Sequence, residues 1–346
     1  MIRPIQYLRA LAALTVVWGH SLYVMPSTAE RLGVPYFGGS GVDLFFVISG
    51  FIMVVTTSGS DVTPQKFLLL RIIRVVPLYW LATLAWIAYT AFESSSWDPY
   101  PPGEIAKSLL FIPYASPGFP SGVWPILNNG WTLNYEMFFY ALFALSLAAP
   151  RRLRLPGLAV ALTGLVVIGR VFGPFANSVA STYSSAYLLE FVAGMVLADG
   201  WLRGGSRDSL PQSLFLIVFG LYCIGSVHSR LTILGGAFLI VAGALNPRIC
   251  AIQNRPLLEL GNASYSIYLI HQFVLAALAG RWLRVFPVAT RASSVFFMAS
   301  ALLLCAAAGC LCYWFIERPL TARLRRLVTR TPAASHKPSA ASARAR

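Results

Sequence analysis

Residues 41–58 read GVDLFFVISGFIMVVTTS, a continuously apolar run interrupted by one ionisable residue, Asp43. It lacks the period-two alternation of a half-buried strand, and its length approaches the ~20 residues with which a helix crosses a hydrocarbon core. Comparable runs recur at roughly 5–25, 73–92, 131–149, 156–172, 185–200, 213–227, 231–246, 263–285 and 293–316. Together they predict an all-α, polytopic transmembrane helical bundle of about ten spans. A transmembrane β-barrel is excluded, because its strands would alternate rather than run apolar. The segment Ile105–Tyr114 is apolar but too short to span, and reads as interfacial or re-entrant.

Composition supports lipid as the solvent. Of the residues 57% are hydrophobic and 11% charged, whereas a soluble domain carries about a quarter charged residues. The mean hydropathy is +0.67. The N-terminus resembles a signal peptide, with Arg3 before an apolar run. Arg9 and His20 interrupt that run and no small-residue cleavage site follows, so it reads as a retained first helix.

The formal net charge of +15 invites a nucleic-acid reading until its distribution is examined. With both termini placed in the cytoplasm, Arg31, Lys107, Arg170, Arg230, Arg281, Arg284 and Arg291 are the only basic residues of the 27 that fall outside. The positive-inside bias accounts for the charge, and no nucleic-acid partner is expected. The five cysteines lie in or beside apolar runs without metal-ligand spacing, so neither a metal nor a disulfide framework is expected.

The chain divides into a membrane domain, 1–318, and a basic tail, 319–346, rich in Arg, Pro, Ala and Ser and expected to be disordered and cytoplasmic. The longest extramembrane stretch, 93–130, is rich in Pro, Ser and aromatics. It reads equally as an outward lid or acceptor platform and as a plain connector.

Ionisable residues at membrane depth are costly and are therefore functional candidates. Here they are Arg9, His20, Asp43, Glu136, Glu190 and His271, with Arg71 and Arg74 at an inner boundary. At ~1.5 Å of rise per residue, His20 lies roughly 22 Å into a core about 30 Å thick, and Glu136 lies about 8 Å in from the outer face. Asp43 falls in the same outer third. A histidine and two carboxylates at one depth suggest an acid–base site, with the imidazole as base and a carboxylate orienting it. His271 is expected well inward of that cluster, in a structural role. Arg71 and Arg74, at i,i+3 on one helix face, suit bidentate phosphate binding; as positive-inside anchors they need no ligand. Arg9 extends that positive path inward.

In order along the chain stand RALAALTVVWGH (9–20), GVDLFFVISGFI (41–52), RIIRVVPLYW (71–80), WTLNYEMFFY (131–140), LEFVAG (189–194), LGNASYSIYLIH (260–271) and FIERP (315–319). Their sequence resembles the acyltransferase-3 family of bacterial membrane O-acyltransferases, over essentially the whole chain. The nearest flavour is that of exopolysaccharide-production, succinoglycan-type acetyltransferases. The resemblance implies transfer of an acetyl group from acetyl-CoA to a hydroxyl of an exopolysaccharide, another cell-surface glycan or a lipid-linked oligosaccharide. It implies a multi-pass protein of the bacterial inner membrane. It also implies an essential His20, functional Arg71 and Arg74, and important Arg9 and Glu136. On that reading His20, Glu136 and Asp43 form the catalytic set, while Arg9, Arg71 and Arg74 bind the acyl-CoA phosphates. His20 acts either as general base on the sugar hydroxyl or as a covalent acyl carrier. Asn128, Asn129, Trp131, Asn134 and Tyr135 are candidate glycan contacts. A transporter or flippase for a glycan intermediate is the competing reading, as is a structural subunit of a polysaccharide assembly. No internal repeat supports the transporter.

Overall fold

The computed structural model describes residues 2–34, 39–94, 100–116, 123–204, 209–226, 229–286 and 290–329. Among the described residues every regular element is helical. In chain order they are α1 (Arg3–Val24), α2 (Pro26–Leu32), α3 (Ser40–Thr57), α4 (Pro64–Ser94) and α5 (Pro102–Leu109). There follow α6 (Trp131–Ser146), α7 (Arg151–Phe172), α8 (Ser178–Tyr183), α9 (Leu188–Leu202), α10 (Leu210–Ser226) and α11 (Arg230–Ala244). The last are α12 (Pro247–Ala251), α13 (Arg255–Asn262), α14 (Ser264–Val285), α15 (Arg291–Cys312) and α16 (Arg318–Thr329).

Five helical stretches are long and apolar enough to cross a membrane: Ser40–Thr57, Pro64–Glu93, Arg151–Phe172, Ser178–Leu202 and Arg291–Val328. The pair α13 and α14, bent by 73° at Ala263, makes a sixth if counted as one span. The chain is thus a multi-pass helical membrane protein. The other expected spans fall short for two physical reasons. Helices α10 and α11 are apolar but only 17 and 15 residues long. Helix α1 is diluted by the polar residues Gln6, Arg9 and His20, and α6, only 16 residues long, is also diluted by Asn134 and Glu136, most of them the candidate functional groups.

Small residues bring the helix backbones together. A Cβ added at Gly50 of α3 would strike the Phe191 carbonyl, and one at Gly194 of α9 would strike the Val47 carbonyl. At Gly41 it would strike the Ala12 carbonyl of α1. With no hydrophobic force between helices in lipid, close approach of this kind is what holds a bundle together. Around these contacts α1, α3, α9 and α14 pack as the centre, with Ala12, Val47, Phe191 and Leu269 fully buried.

Two further segments are placed. The described part of the 93–130 stretch is anchored, not slack: Trp80 donates to the Leu109 carbonyl at 2.8 Å, and the Ser108 hydroxyl accepts from the Ile126 amide at 3.0 Å. The tail expected from 319 begins as part of helix α16, while residues 330–346 lie outside the described residues. Between α15 and α16 the chain makes a π-helical turn, Tyr313–Glu317, which turns the Glu317 side chain into the protein at 1% exposure.

Candidate active site

Cation and carboxylate side chains gather around a cavity of about 840 Å³ between α1, α3, α4, α6 and α14. Arg9, Arg71 and Arg74 line it with Glu136, Tyr140, Ser49, Thr132, Tyr265 and Tyr268. The helix periods explain the convergence: Arg71 and Arg74 share one face of α4, and Thr132, Glu136 and Tyr140, four residues apart, share one face of α6.

Each charge is differently held. Arg74 pairs with Glu317, whose second oxygen accepts from the Ser266 hydroxyl at 2.5 Å. Glu136 accepts from the Ser49 hydroxyl at 2.8 Å and from the Tyr140 hydroxyl. Arg71 stands over the rings of Phe67 and Tyr140 at 5.5 and 6.0 Å. Arg9 donates to Gln6 at 3.3 Å. Among the described residues neither Arg9 nor Arg71 has a carboxylate within ion-pair distance. Half-buried guanidinium groups without a counter-charge are costly, and an anionic ligand relieves that cost.

Arg9 and Arg74 also line a second cavity of about 800 Å³, shared with Gln6, Tyr313, Arg318, Thr321 and Arg325. The two cavities meet at these arginines. A basic cleft bounded by α16 therefore adjoins the first cavity.

His20 lies elsewhere. Its Nδ1 is 3.0 Å from the Val16 carbonyl, and its ring lies 4.8 Å from that of His271. The His271 Nδ1 is 2.7 Å from the Tyr268 carbonyl. A carbonyl only accepts, so in each neutral ring Nδ1 carries the proton and Nε2 keeps its lone pair. The His271 Nε2 is buried without a partner. The Tyr268 ring stands 6.0 Å from His271 and also lines the first cavity, so the histidine pair lies directly behind that wall.

The structure parts the expected catalytic set. His20 meets His271 rather than a carboxylate, Glu136 faces the arginines, and Asp43 is bound by Arg230 at 2.7 Å together with Glu190 at 2.5 Å. Equal depth does not fix direction: each helix turns its side chain toward a different neighbour. The placing of His271 inward of His20 is also corrected. Helix α14 starts after the 73° bend at Ala263, and along it His271 comes to lie with its ring 4.8 Å from that of His20. Asn129 turns inward, donating to the Tyr268 and Leu269 carbonyls, whereas Trp131, Asn134 and Tyr135 line a separate cleft. The structure adds Glu317 and Arg230 as ion-pair partners, and it sets His271, expected in a structural role, against His20. Glu317 carried a signal, an acid at the inner end of an apolar run. Arg230, counted as a loop charge, carried none.

A polytopic bundle enclosing a basic cavity beside an imidazole pair is the architecture of an integral-membrane group-transfer enzyme. The acyltransferase-3 family, described as an acyltransferase domain, matches residues 3–314, and the chain belongs to it. It is an O-acyltransferase enzyme, which sets aside the transporter and scaffold readings. The chain is 39% identical over 308 residues to the exopolysaccharide production protein ExoZ of Rhizobium meliloti (strain 1021), covering 86% of this chain and 94% of that protein. No solved structure matches it.

Proposed function

We propose that this protein moves an acetyl group from acetyl-CoA to a hydroxyl of an exopolysaccharide or its lipid-linked precursor, across the bacterial inner membrane. The observation that carries the reading is the continuous basic path from Arg318 and Arg325 at the mouth, through Arg9 and Arg74, to Arg71 inside the cavity. Phosphates of the donor would be held by these guanidinium groups, which bind them bidentately. Along α1, Arg9 and His20 are eleven residues apart, roughly 16 Å of rise. The acyl-bearing arm would extend over that distance toward the histidines.

Transfer then needs a base. The His20 Nε2, its tautomer fixed by the Val16 carbonyl, takes the proton of the sugar hydroxyl as the oxygen attacks the thioester carbonyl. The carbon–sulfur bond breaks, the acyl group leaves on the sugar as an ester, and the CoA thiolate recovers the proton. Glu136 positions the donor side by holding Ser49 and Tyr140 against the arginines; Asp43 is a structural counter-ion. Ten spans with both termini cytoplasmic agree with the basic-residue bias and put the mouth at the CoA-containing side.

The test is a His20→Ala variant purified in detergent. Acetyl-CoA affinity within about twofold of wild type, with transfer lowered by at least about 10³-fold, is expected for loss of a general base in an intact site. Near-normal ester formation in that variant would refute the mechanism.

A further inference from the structure

On the opposite side of α6 from the donor cavity lies a cleft of about 660 Å³ walled by four rings, Trp124, Trp131, Tyr135 and Tyr187. Trp131 is their hub: its ring lies 6.2 Å from Trp124, 5.9 Å from Tyr135 and 5.2 Å from Tyr187. Asn134, Ser181 and Ser185 add an amide and two hydroxyls, and among the described residues no charged side chain lines the cleft. The Arg230 guanidinium stacks on Tyr187, 3.8 Å from its ring centre, and lines the adjoining cleft with it. Arg230 is in turn fixed by Asp43 and Glu190. The buried ion triad thus acts as a footing for one wall.

This chemistry selects its ligand. An uncharged lining repels neither sign but offers nothing to an ion. Aromatic faces accept the C–H-bearing face of a pyranose, while the amide and hydroxyls meet its ring hydroxyls. An adjoining cleft of about 650 Å³ shares Ser181, Ser185 and Tyr187 but is also lined by Arg170 and Arg230, so the uncharged lining belongs to the first cleft alone. Trp131, Asn134 and Tyr135 face this cleft while Thr132, Leu133 and Glu136 of the same helix face the donor cavity, so only α6 separates the two.

The geometry points to the cleft of Trp124, Trp131, Tyr135 and Tyr187 as the site that binds the glycan acceptor, by stacking one sugar ring against Trp131. This rests on the acyl-transfer reading for its purpose, but its binding test does not require turnover. The probe is the producing cell's own exopolysaccharide, stripped of esters with mild alkali and cut to oligosaccharides. Its affinity for the full-length protein in detergent is measured for wild type, Trp131→Ala, Trp124→Ala and Trp131→Phe, beside acetyl-CoA affinity and thermal unfolding.

Loss of a stacked ring should weaken oligosaccharide binding about tenfold in each alanine variant, with Trp131→Phe intermediate and acetyl-CoA affinity unchanged. Trp124 stands on the chain before α6, outside the helical bundle, so its variant remains informative should Trp131→Ala unfold. Unaltered oligosaccharide affinity in a folded Trp124→Ala or Trp131→Ala protein, or no saturable binding by wild type, would overturn the assignment. Binding that depends on the rings without any transfer from acetyl-CoA would leave the cleft standing and sink the donor reading alone.

Discussion

Asp43 is 1% exposed and sits 2.7 Å from the Arg230 guanidinium, which also reaches Glu190 at 2.5 Å. Two buried carboxylates on one arginine leave neither free to orient a base. Removing the shared cation strands both acids, and breaking a buried pair costs about 3–5 kcal/mol. A third of the Arg230 side chain remains open, so the lower end of that range applies. Arg230→Ala should therefore lose about 3 kcal/mol in thermal or denaturant unfolding, with part of the loss restored by adding Asp43→Asn. Asp43→Asn alone should lower transfer by less than about tenfold, because it removes no group in contact with the reacting atoms. A loss as deep as that of His20→Ala in a fully folded Asp43→Asn protein would return Asp43 to the catalytic set. At this scale the sequence told which residues are unusual, since an ionisable group in an apolar run is visible by eye. It did not tell which neighbour each one meets. His20 and His271 are 251 positions apart, and nothing along the chain pairs them.

Among the elements, the apolar runs located the principal helices, because lipid enforces long uninterrupted stretches. What they hid were the breaks. Helix α13 begins with Asn254 accepting from the Leu257 amide and proline in its first turn, a start signal present in the sequence. The 73° bend at Ala263 has no proline to announce it, and Gly261, two residues before, serves to let α13 close on Gln6 of α1. The π-helical turn at Tyr313–Glu317 is likewise silent in composition, yet it aims Glu317 at Arg74. Such turns favour functional sites for this reason. The contact of α3 with α9 is a test of how packing reaches the chemistry. Gly194→Ala would push a methyl group into the Val47 carbonyl and force the helices apart. Overpacking costs about 1–3 kcal/mol, seen as a lowered unfolding temperature. Because Ser49 on α3 holds Glu136, acyl-donor affinity should fall in the same variant; an unchanged affinity would show that α3 can shift without disturbing the cavity.

At the level of the molecule, the proposed donor and acceptor sites lie at different ends. The donor mouth is bounded by α16 and the first turns of α1, with Arg318 stacked on Trp314 at 4.2 Å and Arg325 close by. The sugar cleft stands at the other end, beside the N-terminus of α6 and the start of α11. A charged thioester such as acetyl-CoA does not cross a bilayer unaided, so on the proposed reading this separation would make the reaction vectorial. Protein reconstituted into sealed vesicles samples both orientations, and a membrane-impermeant protease can remove α16 from those molecules that expose it. Acetyl-CoA added outside should support transfer only from molecules with α16 outside, and the protease treatment should abolish that transfer. Acceptor oligosaccharide enclosed in the lumen should then carry the new ester, while acceptor supplied only outside should not. Equal transfer to either compartment would mean that donor and acceptor share one entrance, and α6 would lose its role as the partition between two sites.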